Sequence, residues 1–323
     1  PDKETVLTPW RVVNMQIAKG IGGLNFYDDN FESMTDGATP NLHWIDTDIT
    51  DSVYHPETKI IDINAKTGLY PLHAAMSLYY QYVQNNDDNR FDAESVYRGI
   101  LANNIYAIAK TPMAKTITER TLTGYKKYKT NVAYIENFSN TLKSSIEEGK
   151  KLVEEAFEKV KFDVVIGNPP YQEVTTGRMM KKGQQQSVRN VFHEFQLVAD
   201  QVARKFSCLI YPGGRWIQRS GKGMADFGLK QINSPHLLEI IYYQQASEVF
   251  KDVAISDGIS VVVKDYHKKN DGFKFSFIEN GLEEQVSLCA PGDKLLVLNP
   301  KNSRIVEKIE AFIENNELHL ISN

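Results

Sequence analysis

Residues 162–171 read Phe-Asp-Val-Val-Ile-Gly-Asn-Pro-Pro-Tyr, and this stretch indicates the fold class. The apolar run over 162–167 is typical of a strand that is buried on both faces of a sheet. Similar runs recur along the chain with helix-like patterns between them, which predicts an α/β fold with a doubly wound sheet and helices on both faces. The predicted strands are 59–63, 104–109, 132–136, 162–167, 206–211, 237–243 and 258–264, with an extra strand or hairpin at 273–278.

The helix-like stretches carry apolar residues at helical spacing. Pro71 suits a first helical turn, and Ser145 with Glu148 forms a possible capping box. The predicted helices are 71–82, 143–159, 191–205 and 303–315.

Composition excludes several classes of protein. The chain has 323 residues, of which 41% are hydrophobic and 24% charged, so we expect a folded domain and no disordered or fibrous chain. The net charge of −4 argues against a general nucleic-acid coat. The 2 cysteines and 7 histidines show no ligand spacing, so we predict no metal site. Neither a signal peptide nor a membrane-length apolar run is present, which predicts a cytoplasmic protein. Because the sequence begins without methionine, we expect a piece of a longer protein.

Charge is segregated along the chain. Residues 20–58 hold no Lys or Arg but eight acids, and we interpret them as a solvated loop region. Residues 178–189 hold four cations and no acid, and their Gln and Gly content predicts a flexible basic loop. Composition alone leaves open whether that loop contacts phosphates or is only a solvated surface.

The tetrapeptide Asn168–Tyr171 has a specific chemical meaning at this position. Ligand sites in open α/β sheets lie beyond the carboxyl ends of strands. Pro169 and Pro170 stiffen the loop and leave its carbonyls free to accept hydrogen bonds. The Asn168 side-chain oxygen and the Pro169 carbonyl could hold an exocyclic amine, while Tyr171 offers a flat face for a base. The same tetrapeptide also suits a plain rigid turn after a core strand.

With these residues in place, the chain resembles the N6-adenine DNA methylase domains of restriction–modification enzymes, in particular the large single-chain type II and type I-like members. The resemblance implies a seven-stranded Rossmann-like methyltransferase sheet, S-adenosylmethionine as cofactor and a flipped adenine of double-stranded DNA as substrate. The segments that resemble family motifs are 8–15, 59–68, 132–138, 168–171, 190–195, 211–216 and 221–223.

The resemblance also implies residue roles. The catalytic residues are then Asn168, Pro169, Pro170 and Tyr171. The cofactor-binding residues are Thr8, Pro9, Asp62, Asn64, Lys66, Thr67, Gly68, Tyr70, Asn137 and Phe138, although Tyr70 and Phe138 equally suit core packing. The DNA-binding residues are Arg178, Lys181, Lys182, Arg189, Arg215, Arg219 and Lys222.

Two departures from the family pattern affect the cofactor prediction. Lys66 replaces a glycine of the cofactor motif, and Ala109-Lys110 stands where an acid usually binds the ribose. These departures leave open a degenerate methylase fold that serves as a DNA-binding scaffold. Because Asn-Pro-Pro-Tyr also serves related enzymes, an amino-methyltransferase acting on RNA or protein glutamine stays open as well. We expect three parts: an N-terminal segment over 1–57 that covers the cofactor, a methyltransferase core over 58–300, and a C-terminal helix over 301–323. We expect this helix to lead to a target-recognition domain, which lies outside the sequence together with any nuclease or helicase part.

Overall fold

A computed structural model describes residues 7–32, 42–86, 91–174, 188–220, 223–251, 255–269 and 271–316. Within these residues, a central sheet of nine strands is flanked by helices on both faces. The helices are α1 (Trp10–Ile21), α2 (Thr50–Val53), α3 (Leu69–Gln84), α4 (Ala93–Asn103), α5 (Pro112–Thr123), α6 (Phe138–Ser144), α7 (Ile146–Ala156), α8 (Phe192–Val202), α9 (Gly214–Ile217), α10 (Ala225–Ile232) and α11 (Ser303–Asn315). The strands are β1 (Gly23–Asn25), β2 (His43–Ile45), β3 (Ile60–Ala65), β4 (Ile105–Ala109), β5 (Asn131–Tyr134), β6 (Phe162–Gly167), β7 (Gln172–Val174), β8 (Val188–Asn190), β9 (Ala203–Pro212), β10 (Leu237–Tyr243), β11 (Ile259–Asp265), β12 (Gly272–Glu279) and β13 (Leu282–Cys289).

The order of the central sheet is β13-β12-β10-β11-β9-β6-β3-β4-β5. The five strands from β5 to β9 are parallel, and β11 runs antiparallel to both of its neighbours. The predicted doubly wound α/β sheet is therefore confirmed, with seven strands from β5 to β10. The hairpin β12–β13 extends it to nine, which confirms the extra strand predicted over 273–278.

The apolar strands are buried because each face of the sheet carries its own core. All six residues of β3 and all six of β6 are buried. Residues from α1 and α3 pack on one face, and residues from α6, α7 and α8 pack on the other. Parallel strands covered on both faces place their carboxyl ends along one edge, where the chain of β6 leaves the sheet at Gly167.

Two predictions of local structure are wrong. The helix predicted over 191–205 ends at Val202, because Ala203 already pairs with Phe162 as the first residue of β9. The described parts of the acidic run, 20–32 and 42–58, are not a solvated loop, since many of their apolar side chains are buried in the core between the acids; these include Leu24, Phe26, Tyr27, Phe31, Ile49 and Tyr54.

Other local predictions are confirmed. The Oγ of Ser145 accepts a hydrogen bond from the Glu148 amide at 3.2 Å, as expected of a capping residue at the start of α7. The closing helix predicted over 303–315 is α11. Among the described residues, no helix is both long and apolar enough to cross a membrane.

Candidate active site

Gly167 makes the turn by which the chain leaves β6. Its φ of 140° lies in the region that favours glycine. A Cβ at this position would come within 2.7 Å of the Asp62 Oδ1 at the end of the neighbouring strand β3. Glycine therefore lets the predicted catalytic corner and the predicted cofactor carboxylate lie side by side.

The Asn168 side chain is held inside this corner, with only 5% of the residue exposed. One orientation of its carboxamide satisfies both ends. In that orientation Nδ2 donates to the Ile210 carbonyl at 3.2 Å and to the Tyr171 hydroxyl at 3.1 Å, while Oδ1 accepts from the Thr8 hydroxyl at 3.0 Å. The amide oxygen is thus directed toward the segment that precedes α1.

The backbone of the corner is fixed from two sides. The Asn64 Nδ2 donates to the Asn168 carbonyl at 2.8 Å. The Gln16 Nε2 donates to the Gly167 carbonyl at 3.2 Å and to the Cys208 carbonyl at 3.0 Å. The Gln16 Oε1 accepts from the Tyr70 hydroxyl. One buried network therefore joins the corner, the end of β3 and the first turn of α3.

The other three residues of the tetrapeptide are largely covered by the protein and include one aromatic ring. Both Pro169 and Pro170 are buried, while Tyr171 is half-buried. Burial raises the pKa of the Tyr171 hydroxyl well above its usual range. The Tyr171 ring meets Phe250 edge to face, with 6.4 Å between ring centroids. In this structure the corner is closed rather than open to solvent.

Asp62 within β3 and Lys66 just after this strand are an acidic and a basic group whose charges interact. Burial raises the pKa of Asp62 to about 7, against the opposing effects of a hydrogen bond from the Asn64 amide and the charge of Lys66. Burial also lowers the pKa of Lys66 to about 8, helped by the nearby Lys110. Both groups therefore titrate close to neutrality, as groups in ligand sites often do.

Gly68 and Thr67 form the turn between β3 and α3. Gly68 adopts a left-handed conformation with φ 80°, and a Cβ there would lie 2.9 Å from the Thr118 Cα. The Thr67 carbonyl accepts from the Thr121 hydroxyl at 2.7 Å. Helix α5 therefore packs directly against this turn and fixes its path.

Residues 103–250 match the family model described as Eco57I restriction-modification methylase. The match covers a little under half of the chain, and over these residues the chain resembles a restriction–modification methylase. None of the curated protein sequences matches the chain significantly.

Several solved structures share the fold of this chain. The ATP-dependent type ISP restriction-modification enzyme LlaBIII bound to DNA is 13% identical, with a TM-score of 0.53 over 86% of this chain and 20% of its own. A nuclease-deletion mutant of the type ISP enzyme LlaGI, with a DNA substrate mimic, is 13% identical, with a TM-score of 0.55 over 86% of this chain and 24% of its own. A chain of a type I restriction–modification system is 10% identical, with a TM-score of 0.51 over 96% of this chain and 64% of its own. The chain therefore spans about a fifth to a quarter of the two type ISP enzymes, and the likeness is one of fold.

Three of the predicted cofactor residues lie apart from the network around Gln16. Pro9 is exposed just before α1. Asn137 is exposed, with φ 55°, at the start of α6, after the carboxyl end of β5. Phe138 is buried and meets Phe195 edge to face at 5.7 Å. β5 lies two strands from β3, so any contact of Asn137 or Phe138 with a ligand would be at its far end.

The described arginines of the predicted DNA-binding set have partners within the chain. Arg189 is bound to Glu194 at 2.6 Å and lies 3.6 Å from Glu173. Arg215 pairs with Asp257 at 3.0 Å, and Arg219 donates to the Asp293 carbonyl. The other four members of the set lie outside the described residues: Arg178, Lys181, Lys182 and Lys222.

Two residues of the site were missed from the sequence. Gln16 is fully buried, and Arg11 donates to the carbonyls of Glu248 and Val249 at 2.7 and 2.8 Å, next to Phe250. Gln16 carried a signal, because an uncharged polar residue inside the apolar run 12–18 must find a buried partner. Nothing local to Arg11 indicated its partners, which lie more than 230 residues away in sequence.

Proposed function

We propose that this domain transfers a methyl group from S-adenosylmethionine to N6 of a flipped adenine in DNA, as the modification activity of a restriction–modification system. The observation that carries the proposal is the Asn168–Tyr171 corner at the carboxyl end of β6, in contact with the end of β3. The corner over 168–171 offers acceptors for the N–H groups of an amine, and the neighbouring strand β3 carries the buried carboxyl of Asp62. This arrangement supports an amine as the methyl acceptor and a cationic compound as the methyl donor.

The residues at the end of β3 fit the amino-acid part of S-adenosylmethionine. Burial disfavours the ionised form of Asp62, and an ammonium or sulfonium group beside it would stabilise the ionised carboxylate. Lys66 and the start of α3 suit a carboxylate. Ala109 and Lys110 supply no acid for the ribose hydroxyls, so we expect weaker binding than in enzymes that have one. When bound, the cofactor supplies an electrophilic methyl group.

The corner residues then prepare the acceptor nitrogen. The lone pair of an adenine N6 amine is delocalised into the ring and is a poor nucleophile. Two N–H bonds, accepted by the Asn168 Oδ1 and the Pro169 carbonyl, favour a tetrahedral nitrogen and stabilise the positive charge that develops on it. Stacking on Tyr171 contributes about 1–3 kcal/mol, which offsets part of the cost of flipping the base. Because Asn168 is only 5% exposed, the base reaches it only after the closed corner opens.

Double-stranded DNA is the partner that we propose for this domain. The similar LlaBIII structure is of an enzyme bound to DNA, and LlaGI was seen with a DNA substrate mimic. We propose that the basic residues Arg178, Lys181 and Lys182 approach the phosphates, and that target recognition and any nuclease or helicase activity lie in other parts of a longer bacterial cytoplasmic protein. The division into 1–57, 58–300 and 301–323 stays part of this proposal; α1, in the first range, packs on the core of the second.

Methyl transfer can be tested with labelled S-adenosylmethionine and separate pools of DNA, RNA and protein, followed by nucleoside mass spectrometry. We expect label in DNA, as N6-methyladenine. Asn168→Ala should reduce transfer by about 100-fold or more, because it removes a preorganised acceptor.

Asn104→Ala is the matched control. Asn104 is a buried asparagine that donates to the Pro56 and Thr58 carbonyls near the amino-terminal end of β4, so its loss should cost stability but preserve transfer. Label in RNA or on protein glutamine would contradict the substrate, and a wild-type rate in Asn168→Ala would contradict the role of Asn168.

The second candidate function is a DNA-binding scaffold that has lost the cofactor. Lys66 in the cofactor turn and Ala109-Lys110 at the end of β4 favour it. Titration calorimetry with S-adenosylmethionine distinguishes the two: heat of binding that is lost in Asp62→Asn supports the enzyme, and the absence of binding by the intact protein supports the scaffold.

A further inference from the structure

We infer that Thr8 is a positioning residue that sets the orientation of the Asn168 carboxamide; this inference rests on the proposed methyl transfer. Thr8 precedes α1 and is buried, with 7% of the residue exposed. Its hydroxyl lies 3.0 Å from the Asn168 side chain, 160 residues away in sequence. The resemblance to methylases assigned Thr8 to the cofactor, whereas its hydroxyl contacts the Asn168 side chain of the catalytic corner as well as the Tyr70 hydroxyl.

The orientation of the Asn168 carboxamide matters because its nitrogen donates hydrogen bonds and its oxygen accepts them. A carboxamide is nearly symmetric in shape, but only its oxygen can accept a hydrogen bond from an amine. The Nδ2 end faces the Ile210 carbonyl, the Tyr171 hydroxyl and the Pro169 carbonyl at 3.1–3.3 Å. The Oδ1 end faces the Thr8 hydroxyl, which takes one lone pair and leaves the second for the N–H of the acceptor base.

Thr8 can play this role because its own position is fixed. Pro9 is the N-cap residue of α1, and its carbonyl accepts from the Val12 amide at 3.0 Å. Two turns after Thr8, Gln16 of the same helix is bound to the Gly167 and Cys208 carbonyls. Thr8 and Gln16 therefore both contact the chain where β6 ends, Thr8 at Asn168 and Gln16 at Gly167.

A pair of nearly isosteric substitutions tests the inference. Thr8→Val keeps the shape but removes the donor, and Thr8→Ser keeps the donor. We expect Thr8→Val to lower kcat by about tenfold or more with KM for S-adenosylmethionine and DNA within about twofold, and Thr8→Ser to restore most of kcat. A raised cofactor KM with unchanged kcat in Thr8→Val would instead make Thr8 a cofactor ligand and overturn the inference.

A second measurement does not depend on activity. In protein labelled with ¹⁵N at asparagine, the Asn168 side-chain resonances are identified by their loss in Asn168→Ala. We expect these resonances to shift or split in Thr8→Val and to match the wild type in Thr8→Ser. Unchanged resonances in Thr8→Val would overturn the inference even if the wild-type protein methylates nothing, whereas failure of methylation alone would count only against the proposed function.

Discussion

Asp62 is a residue whose folded environment works against its charge. It is 1% exposed at the end of β3, and burial raises its pKa from 3.8 to about 7. Because the folded state then binds the proton more tightly than the unfolded state, this group favours folding below pH 4 and loses that contribution as the pH rises from about 4 to 7. A buried carboxylate that is unfavourable in the free protein is expected where a cationic ligand binds and stabilises its negative charge.

Asp62→Asn should therefore raise the free energy of unfolding above pH 7 in the absence of ligand, by a few kcal/mol at most, with little effect at pH 4. Urea unfolding of variant and wild type across pH 4–8 measures the difference. His73, whose pKa burial lowers to about 4, affects both proteins equally and drops out of that difference.

The control for Asp62→Asn is a buried aspartate with partners. Asp163, near the start of β6, accepts from the Lys59 amide at 3.0 Å and pairs with Arg204 at 2.7 Å. Asp163→Asn should destabilise the protein at pH 8. If Asp62→Asn destabilised it equally there, the proposed cost of the Asp62 charge would be wrong.

Among the elements, α1 is tied to the sheet by a buried amide. Gln16 donates to the Gly167 carbonyl at the end of β6 and to the Cys208 carbonyl within β9, and accepts from Tyr70. Gln16→Met keeps the length of the side chain but leaves these groups without their partner, which should lower the free energy of unfolding by about 1–3 kcal/mol and reduce methyl transfer. Thermal and urea unfolding measure the first effect. Gln84→Met, at an exposed position that ends α3, should change neither; equal effects of the two substitutions would contradict the role of Gln16.

The strands were predictable because a strand covered on both faces is apolar along most of its length, as β3 and β6 are. The end of α8 was not, because Ala203 belongs to β9 through its pairing with Phe162, a partner 41 residues away. The buried part of the acidic run was missed for a similar reason: its apolar residues, such as Leu24 and Phe26, find their partners on α1 and α3.

The candidate site divides in the same way. The corner over 168–171 was predictable because its chemistry lies in one contiguous motif that follows a strand. Its supports, Thr8, Gln16 and Asn64, act through contacts with residues more than 100 positions away in sequence. No local pattern specifies such pairs, because the fold creates them.

At the scale of the whole molecule, the charge of −4 means that DNA contact must depend on a local basic surface. Arg189 is an unsuitable member of that surface, since it is 18% exposed and bound to Glu194. Arg189→Gln should therefore lower stability, by about 1–3 kcal/mol, because burial already raises the pKa of Glu194 and its charged partner would be gone.

Neutralising Arg178, Lys181 and Lys182 together should act on DNA instead. Each phosphate contact that is lost should reduce the slope of log K against log salt by about 0.9, and affinity should fall uniformly across DNA sequences. Fluorescence anisotropy with short duplexes between 50 and 200 mM salt measures the slope. Replacing Lys150 and Lys151 of α7, both paired with glutamates of the same helix, is a control for general loss of charge. If the control reduced the slope as much as the triple variant, residues Arg178, Lys181 and Lys182 would not be the DNA contact. DNA binding would then depend on the total charge of the protein.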